Sequence, residues 1–118
     1  MGIKKKEYVL SLPVCPPLNH QKAIVQGRMV KSKADRDYTN TVQLLCMKDR
    51  LEPLNGEIGV KINWHRERKA GDIDRFKTLL DALQGFAYHN DSQVSKLEIE
   101  RFDTDPEHPR LFVQIHQL

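Results

Sequence analysis

The stretch 57–65 constrains the fold of this chain more than any other part of the sequence. Its side chains alternate, with Ile58, Val60, Ile62 and Trp64 on one side and Lys61, Asn63 and His65 on the other. Residues two apart on an extended chain point to the same side, so this alternation predicts a strand with one apolar face. Trp64 belongs to that apolar face, which places it in the core or in a dimer surface.

Residues 75–84 show the clearest helical pattern. An apolar stripe at positions i, i+3, i+4 and i+7 consists of Phe76, Leu79, Leu80 and Leu83. Asp74 is predicted to be the N-cap of this helix, and Gly85 is predicted to follow its last turn. On the helical projection, the polar face opposite the stripe holds Asp74, Lys77, Thr78 and Asp81.

The remaining segments complete one α/β domain. Strands are predicted at 7–12, at 93–101 and around 111–115, and the last strand follows a proline-bearing turn at 103–109. Residues 22–33 read as a locally basic hairpin, and a helix is predicted at about 34–50. The order β, hairpin, α, β, α, β, β predicts a single α+β domain over residues 1–118. Its architecture would be a small mixed β-sheet with two main helices.

Composition narrows the function classes only slightly. The net charge is +3, with 30% charged and 39% apolar residues, which suits a globular domain and permits a polyanionic partner. Cys15 and Cys46 stand alone without zinc-like spacing, so we expect free thiols in a reducing compartment. No apolar stretch approaches the ~20 residues of a membrane span. We therefore expect a soluble intracellular protein.

Three acidic residues form the densest chemical pattern. Asp72 and Asp74 lie between the best strand and the best helix, and Asp91 stands in the turn 88–93. If the chain is still extended at 72–74, both aspartates point to one side, and the loop 85–91 is long enough to bring Asp91 beside them. Clustered carboxylates bind hard cations such as Mg²⁺. The alternative is a solvated Asp beside a capping Asp, and on the pattern alone that alternative is the commoner one.

Basic residues flank these acids. Arg66, Arg68 and Lys69 would offset the repulsion between the acids and phosphate, or would simply be a solvated turn. Another basic group occupies the hairpin region and consists of Lys22, Arg28, Lys31 and Lys33, which is either a DNA-contacting arm or an ordinary polar hairpin. Asp81 is expected to orient Lys77 through an i, i+4 pair rather than to bind metal.

Two motifs together resemble the RusA endonuclease family. The first runs from Arg68 to Leu83 (RKAGDIDRFKTLLDAL), and the second from Asn90 to Val94 (NDSQV). A weaker match is the segment PPLN at 16–19. The resemblance spans nearly the whole chain and implies a Mg²⁺-dependent (or Mn²⁺-dependent) endonuclease that nicks four-way DNA junctions as a homodimer.

The resemblance also implies roles for individual residues. The family's metal-binding acids fall on Asp72, Asp74 and Asp91, and its functional lysine falls on Lys77. Basic residues near the motif would hold DNA, with Arg66, Arg68, Lys69, Arg75 and Lys33 as the candidates. Localisation in the cytoplasm of a prokaryote, or of a cell infected by a phage, follows from the same resemblance.

The sequence departs from the family pattern at two points. Only three steps separate Asp74 from Lys77, where the family usually has four, and Asn90 replaces the first of two turn acids. An amide oxygen can bind a metal but brings no charge. These departures keep open the alternative of a degenerate relative that binds branched DNA without cutting it. A protein-interaction domain that kept the fold is a third alternative.

Overall fold

The computed structural model describes residues 5–16, 22–66, 73–102 and 105–118, with the side chains of residues 22, 23, 73 and 74 left out. Six strands and two α-helices make up the described part of the chain. They are β1 (Glu7–Leu12), β2 (Lys22–Val25), β3 (Arg28–Lys31), α1 (Lys33–Lys48), β4 (Ile58–His65), α2 (Lys77–Leu83), β5 (Val94–Phe102) and β6 (Arg110–Gln117). The predicted α+β class and element order are therefore confirmed.

Four strands form one mixed sheet in the order β1-β6-β4-β5. β6 is antiparallel to both β1 and β4, whereas β5 is parallel to β4 and begins with Val94 beside Ile58. A parallel pair requires a crossover between its strands, and the segment that contains α2 supplies it. Because of this crossover, the start of β5 returns to the start of β4.

One face of the sheet is buried under the two helices. The apolar positions of β4 predicted from alternation are all buried, and Trp64 is only 1% exposed. The prediction of a core position for Trp64 is thus confirmed. α1 begins after Ser32, whose hydroxyl accepts a hydrogen bond from the Asp35 backbone N–H at 3.1 Å, and it buries Tyr38, Val42 and Cys46. No helix in the described part of the chain is long and apolar enough to cross a membrane.

The start of the second helix differs from the prediction. A 3₁₀ turn at Ile73–Phe76 precedes α2, and Phe76 occupies the cap position without a side-chain cap. Asp74 is therefore not the N-cap and its backbone is not extended, so strand alternation does not place it with Asp72. Gly85 has φ +85° after the helix, as expected for the residue that ends it.

Thr78 is the second correction on this helix. The projection placed it on the solvent face, yet it is only 3% exposed because α1 packs against that side of α2. Its hydroxyl donates a short hydrogen bond to the carboxylate of Asp35, which is itself 2% exposed. The two helices are thus joined through a buried polar pair that a helical projection alone does not reveal.

The basic hairpin is confirmed as β2 and β3. Its turn has Gln26 and Gly27 at positive φ (51° and 77°), the combination that a type I′ turn requires. Ile24 and Met29 face each other across the two strands and are 76% and 70% exposed. The hairpin therefore presents large apolar side chains outside the core.

Candidate metal and DNA site

The end of β4 holds a group of aromatic and cationic side chains. The Trp64 ring packs edge-on against Phe76 with 5.2 Å between ring centroids, and the Arg75 guanidinium lies 4.9 Å from the Trp64 ring centroid. Arg75 also donates a hydrogen bond to the Cys15 carbonyl at 3.4 Å. Segment 73–76 is thereby held beside the end of β4, next to the acidic motif.

Arg101 joins this group, and the sequence reasoning missed it. Its guanidinium lies 5.8 Å from the Trp64 ring centroid, on the strand β5 that neighbours β4. Leu97, Ile99 and Arg101 share one side of β5, so the arginine interrupts an apolar alternation. That interruption is the signal that could have identified it.

Lys77 stands at the first turn of α2 and is exposed. Its ammonium pairs with the Asp81 carboxylate at 3.2 Å, with the lysine side chain 76% and the aspartate side chain 31% exposed. The predicted i, i+4 pair is confirmed. This ion pair lies at the surface of α2 and not in the core. We therefore expect truncation of the Lys77 side chain to change the free energy of unfolding very little.

Asp91 lies in a turn that is closed by several hydrogen bonds. The Asn90 side chain accepts from the Ser92 backbone N–H at 2.9 Å, while the Gln93 side-chain oxygen accepts from the Asn90 backbone N–H at 2.9 Å. The Asp91 backbone N–H donates to the Gln84 side-chain oxygen at 2.9 Å. Asp91 itself is exposed, so its carboxylate remains available for a ligand.

The turn that contains Asp91 begins at the buried residue Tyr88. Tyr88 is fully buried, and its hydroxyl donates to the Leu80 carbonyl at 2.5 Å. Burial raises the pKa of Tyr88 above its ordinary range, and the nearby charges of Asp91 and Asp81 raise it further. Asp91 and Asp81 thus lie near the same phenol. His89 pairs with Asn55 at 3.0 Å, which connects this turn to the residues before β4.

The described residues next to the predicted acids lie near opposite ends of β4. Arg75 and Phe76 pack on Trp64, whereas the turn at Asp91 leads directly into Val94, which pairs with Ile58. Six residue steps of strand separate Ile58 from Trp64, or ~20 Å at ~3.3 Å per step. Loop 85–91 therefore leads to the start of β4. The convergence of Asp72, Asp74 and Asp91 falls outside the described residues, because residue 72 and the side chain of residue 74 are not described.

The predicted DNA-contacting residues have different surroundings. Arg66 is half-buried and donates from Nε to the Phe102 carbonyl at 3.2 Å. Lys33 is exposed and pairs with Asp37 at 2.9 Å. Arg68 and Lys69 lie outside the described residues. Among the side chains that are described, no three His, Cys, Asp or Glu residues lie close enough to hold a metal ion.

Comparison with known proteins identifies the family. The sequence matches the family of the endodeoxyribonuclease RusA over residues 12–116 of 118. No curated protein matches the chain. The match takes in every element from the end of β1 to β6, and with it both predicted motifs. The chain therefore belongs to the RusA endodeoxyribonuclease family.

Proposed function

We propose that this protein is a Mg²⁺-dependent endonuclease that nicks four-way DNA junctions in the cytoplasm during recombination and repair. The observation that supports it most is the family match across nearly the whole chain. The sequence also keeps the acids Asp72, Asp74 and Asp91 and the lysine Lys77, the residue types that such chemistry needs.

The proposed roles follow from the chemistry of these side chains. Asp72, Asp74 and Asp91 would hold the metal through carboxylate oxygens, the ligands that Mg²⁺ or Mn²⁺ prefers. A bound metal of this kind supplies charge stabilisation to the phosphodiester and lowers the pKa of an attacking water. Lys77 would face the scissile phosphate and stabilise its growing negative charge, with Asp81 orienting the ammonium.

We propose that the active form is a homodimer and that Asp91 meets the other acids across the two copies. Phe76 packs on Trp64 near the end of β4, whereas Asp91 shortly precedes Val94, which pairs with Ile58 at the start of β4, about 20 Å along the strand. This separation of the neighbouring residues supports a site that takes ligands from two copies. A two-fold axis that sets the two β4 strands side by side in opposite directions would place the start of one β4 near the end of the other. The exposed Ile24 and Met29 of the hairpin supply an apolar contact surface for such a dimer.

A degenerate, DNA-binding relative is the second candidate, and one observation favours it. The Asn90 side-chain oxygen already caps the turn by accepting from the Ser92 N–H. At the position where the family usually has an acid, this chain therefore uses the side chain for structure. A protein with fewer metal-binding carboxylates would still bind junction DNA through its cations.

A nicking assay on a synthetic four-way junction separates these candidates. The wild type is expected to cut symmetrically with Mg²⁺ and to bind without cutting when EDTA replaces the metal. Asp72→Asn should abolish cutting while leaving binding intact or tighter, because it removes both a metal ligand and a repulsive charge. Binding without cutting by the wild type in Mg²⁺ and in Mn²⁺ would establish the degenerate candidate instead.

Mixing two inactive variants tests where Asp91 acts. If each metal site takes Asp72 from one copy and Asp91 from the other, a mixed dimer of Asp72→Asn and Asp91→Asn retains one intact site. Cutting of one strand should then reappear on mixing. If all acids act within one copy, every site in the mixed dimer lacks an acid and the mixture stays inactive.

A further inference from the structure

The face of the sheet opposite the helices holds a cleft that the proposed active site does not use. Strand register places Lys96, Gly59, His116 and Glu7 in one row across it, and Glu98, Lys61, Gln114 and Val9 in the next. The cleft has a volume of about 450 Å³ and continues to Lys5 and Lys6 before β1. In the described part of the chain, neither helix covers this face.

The shape of the cleft depends on a glycine. A Cβ added to Gly59 would lie 2.7 Å from Cε1 and 2.8 Å from Nε2 of His116. The imidazole therefore occupies the space that a side chain at position 59 would need. The absence of a side chain at position 59 thus lets His116 lie against the central strand, where it forms part of the cleft lining.

The charges of the cleft favour an anion. Four lysines and two glutamates line it, which leaves a net charge of +2 with His116 neutral. Glu98 pairs with Lys96 at 3.1 Å. Lys96, and to a smaller extent Lys61, hold the pKa of the Glu98 carboxyl below its usual range. In the described part of the chain, Lys61 itself forms no ion pair. Lysine ammonium groups on a concave surface are suited to phosphate oxygens.

We propose that this cleft binds phosphates of the DNA backbone, as a second DNA contact on the sheet face remote from α1 and α2. This inference rests on the proposed junction-binding function. Lys96 follows Asp91 by five residues, at most ~17 Å of extended chain, so a duplex that reaches Asp91 can extend across the cleft. A second copy is a poorer occupant, because two-fold packing of this face would bring like charges together.

Charge-neutralising variants test the proposal in binding experiments. Junction affinity is measured in EDTA between 50 and 200 mM salt for the wild type and for Lys61→Gln/Lys96→Gln. Each lost phosphate contact makes the slope of log K against log salt less negative by ~0.9, so the wild type should lose about twelvefold more affinity than this double variant over that range. Glu98→Gln should act oppositely and tighten binding severalfold, since it removes a negative charge from the cleft.

The matched control is Arg36→Gln/Lys48→Gln, which removes the same charge from exposed positions on α1. It should keep the wild-type salt slope, and thermal melts should show that all variants are folded. A Lys61/Lys96 variant that behaves like this control while the wild type binds junctions would overturn the cleft assignment alone. Failure of the wild type to bind junctions would overturn the proposed function together with it. A change in sedimentation caused by the cleft variant would instead assign this face to a contact between copies.

Discussion

The buried pair between Thr78 and Asp35 offers the sharpest test of how the helices are held. Thr78→Val keeps the shape of the side chain but removes the hydroxyl that donates to the Asp35 carboxylate. Lys31 remains near that carboxylate at 3.7 Å, but its side chain is 43% exposed, so solvent screens the pair. The lost bond therefore leaves a buried acceptor without its best donor.

The expected cost can be worked from these contacts. A hydrogen bond to a charged group contributes about 1.5–3 kcal/mol, and the valine does not replace it. Thr78→Ser keeps the donor and removes one methyl group, which should cost only ~1 kcal/mol. We therefore expect Thr78→Val to lower the free energy of unfolding by ~2–3 kcal/mol, clearly more than Thr78→Ser does.

Urea denaturation of the two variants measures this difference. A double-mutant cycle with Asp35→Ala should give a coupling energy of ~1.5 kcal/mol or more, because the two side chains are in contact. If Thr78→Val were within ~0.5 kcal/mol of Thr78→Ser, the contact would not stabilise the helix pair and the reasoning would be refuted.

Three further predictions concern function, reactivity and assembly. Lys77→Ala should slow single-turnover nicking by about two to three orders of magnitude and change unfolding free energy by no more than ~0.5 kcal/mol, and a wild-type rate in saturating Mg²⁺ would exclude the lysine role. Burial raises the pKa of Cys15 to about 12, so its alkylation at pH 8 should be about a thousandfold slower in the native protein than in guanidinium, and rapid native labelling would contradict the packing. Ile24→Ser/Met29→Ser should weaken the proposed dimer at least tenfold in sedimentation experiments, whereas Val9→Ser, another exposed apolar site, should leave it unchanged.

Local patterns in the sequence were sufficient to predict the elements and their buried faces. The alternation at 57–65 and the stripe at Phe76, Leu79 and Leu83 each predicted correctly which side chains are buried. The apolar residues recur with the period of a strand or of a helix, so they mark the face that packs in the core. The hairpin within 22–33 and the terminal Gly85 also depend on neighbouring residues alone. Predictions of this kind succeed because a single element contains all the information that they need.

Predictions failed where a second element decided the outcome. Thr78 is polar and lies off the apolar stripe, yet α1 covers it and Asp35 satisfies its hydroxyl. Asp74 lies in a 3₁₀ turn that packs on Trp64 from a distant strand, so the local N-cap signature did not determine the start of the helix. Strand order could not be predicted from the sequence either, because it depends on pairing between distant segments. The observed order places the start of β5, and thus Asp91, beside the start of β4.

The parallel pairing of β4 and β5 relates the proposed dimer to the proposed cleft. At one end of β4 lie Arg75 and Arg101 with the segment that follows Asp72, and at the other lie Asp91 and the cleft around Lys61. If two copies meet so that Asp91 of one completes the acids of the other, the start of β5 in the first copy, which leads to Lys96 in the cleft, would lie near the arginines of the second. A DNA arm would then be bound by both copies and cut at their boundary. Cutting and tight binding would both depend on dimerisation, so dilution below the dimer dissociation constant should reduce them together.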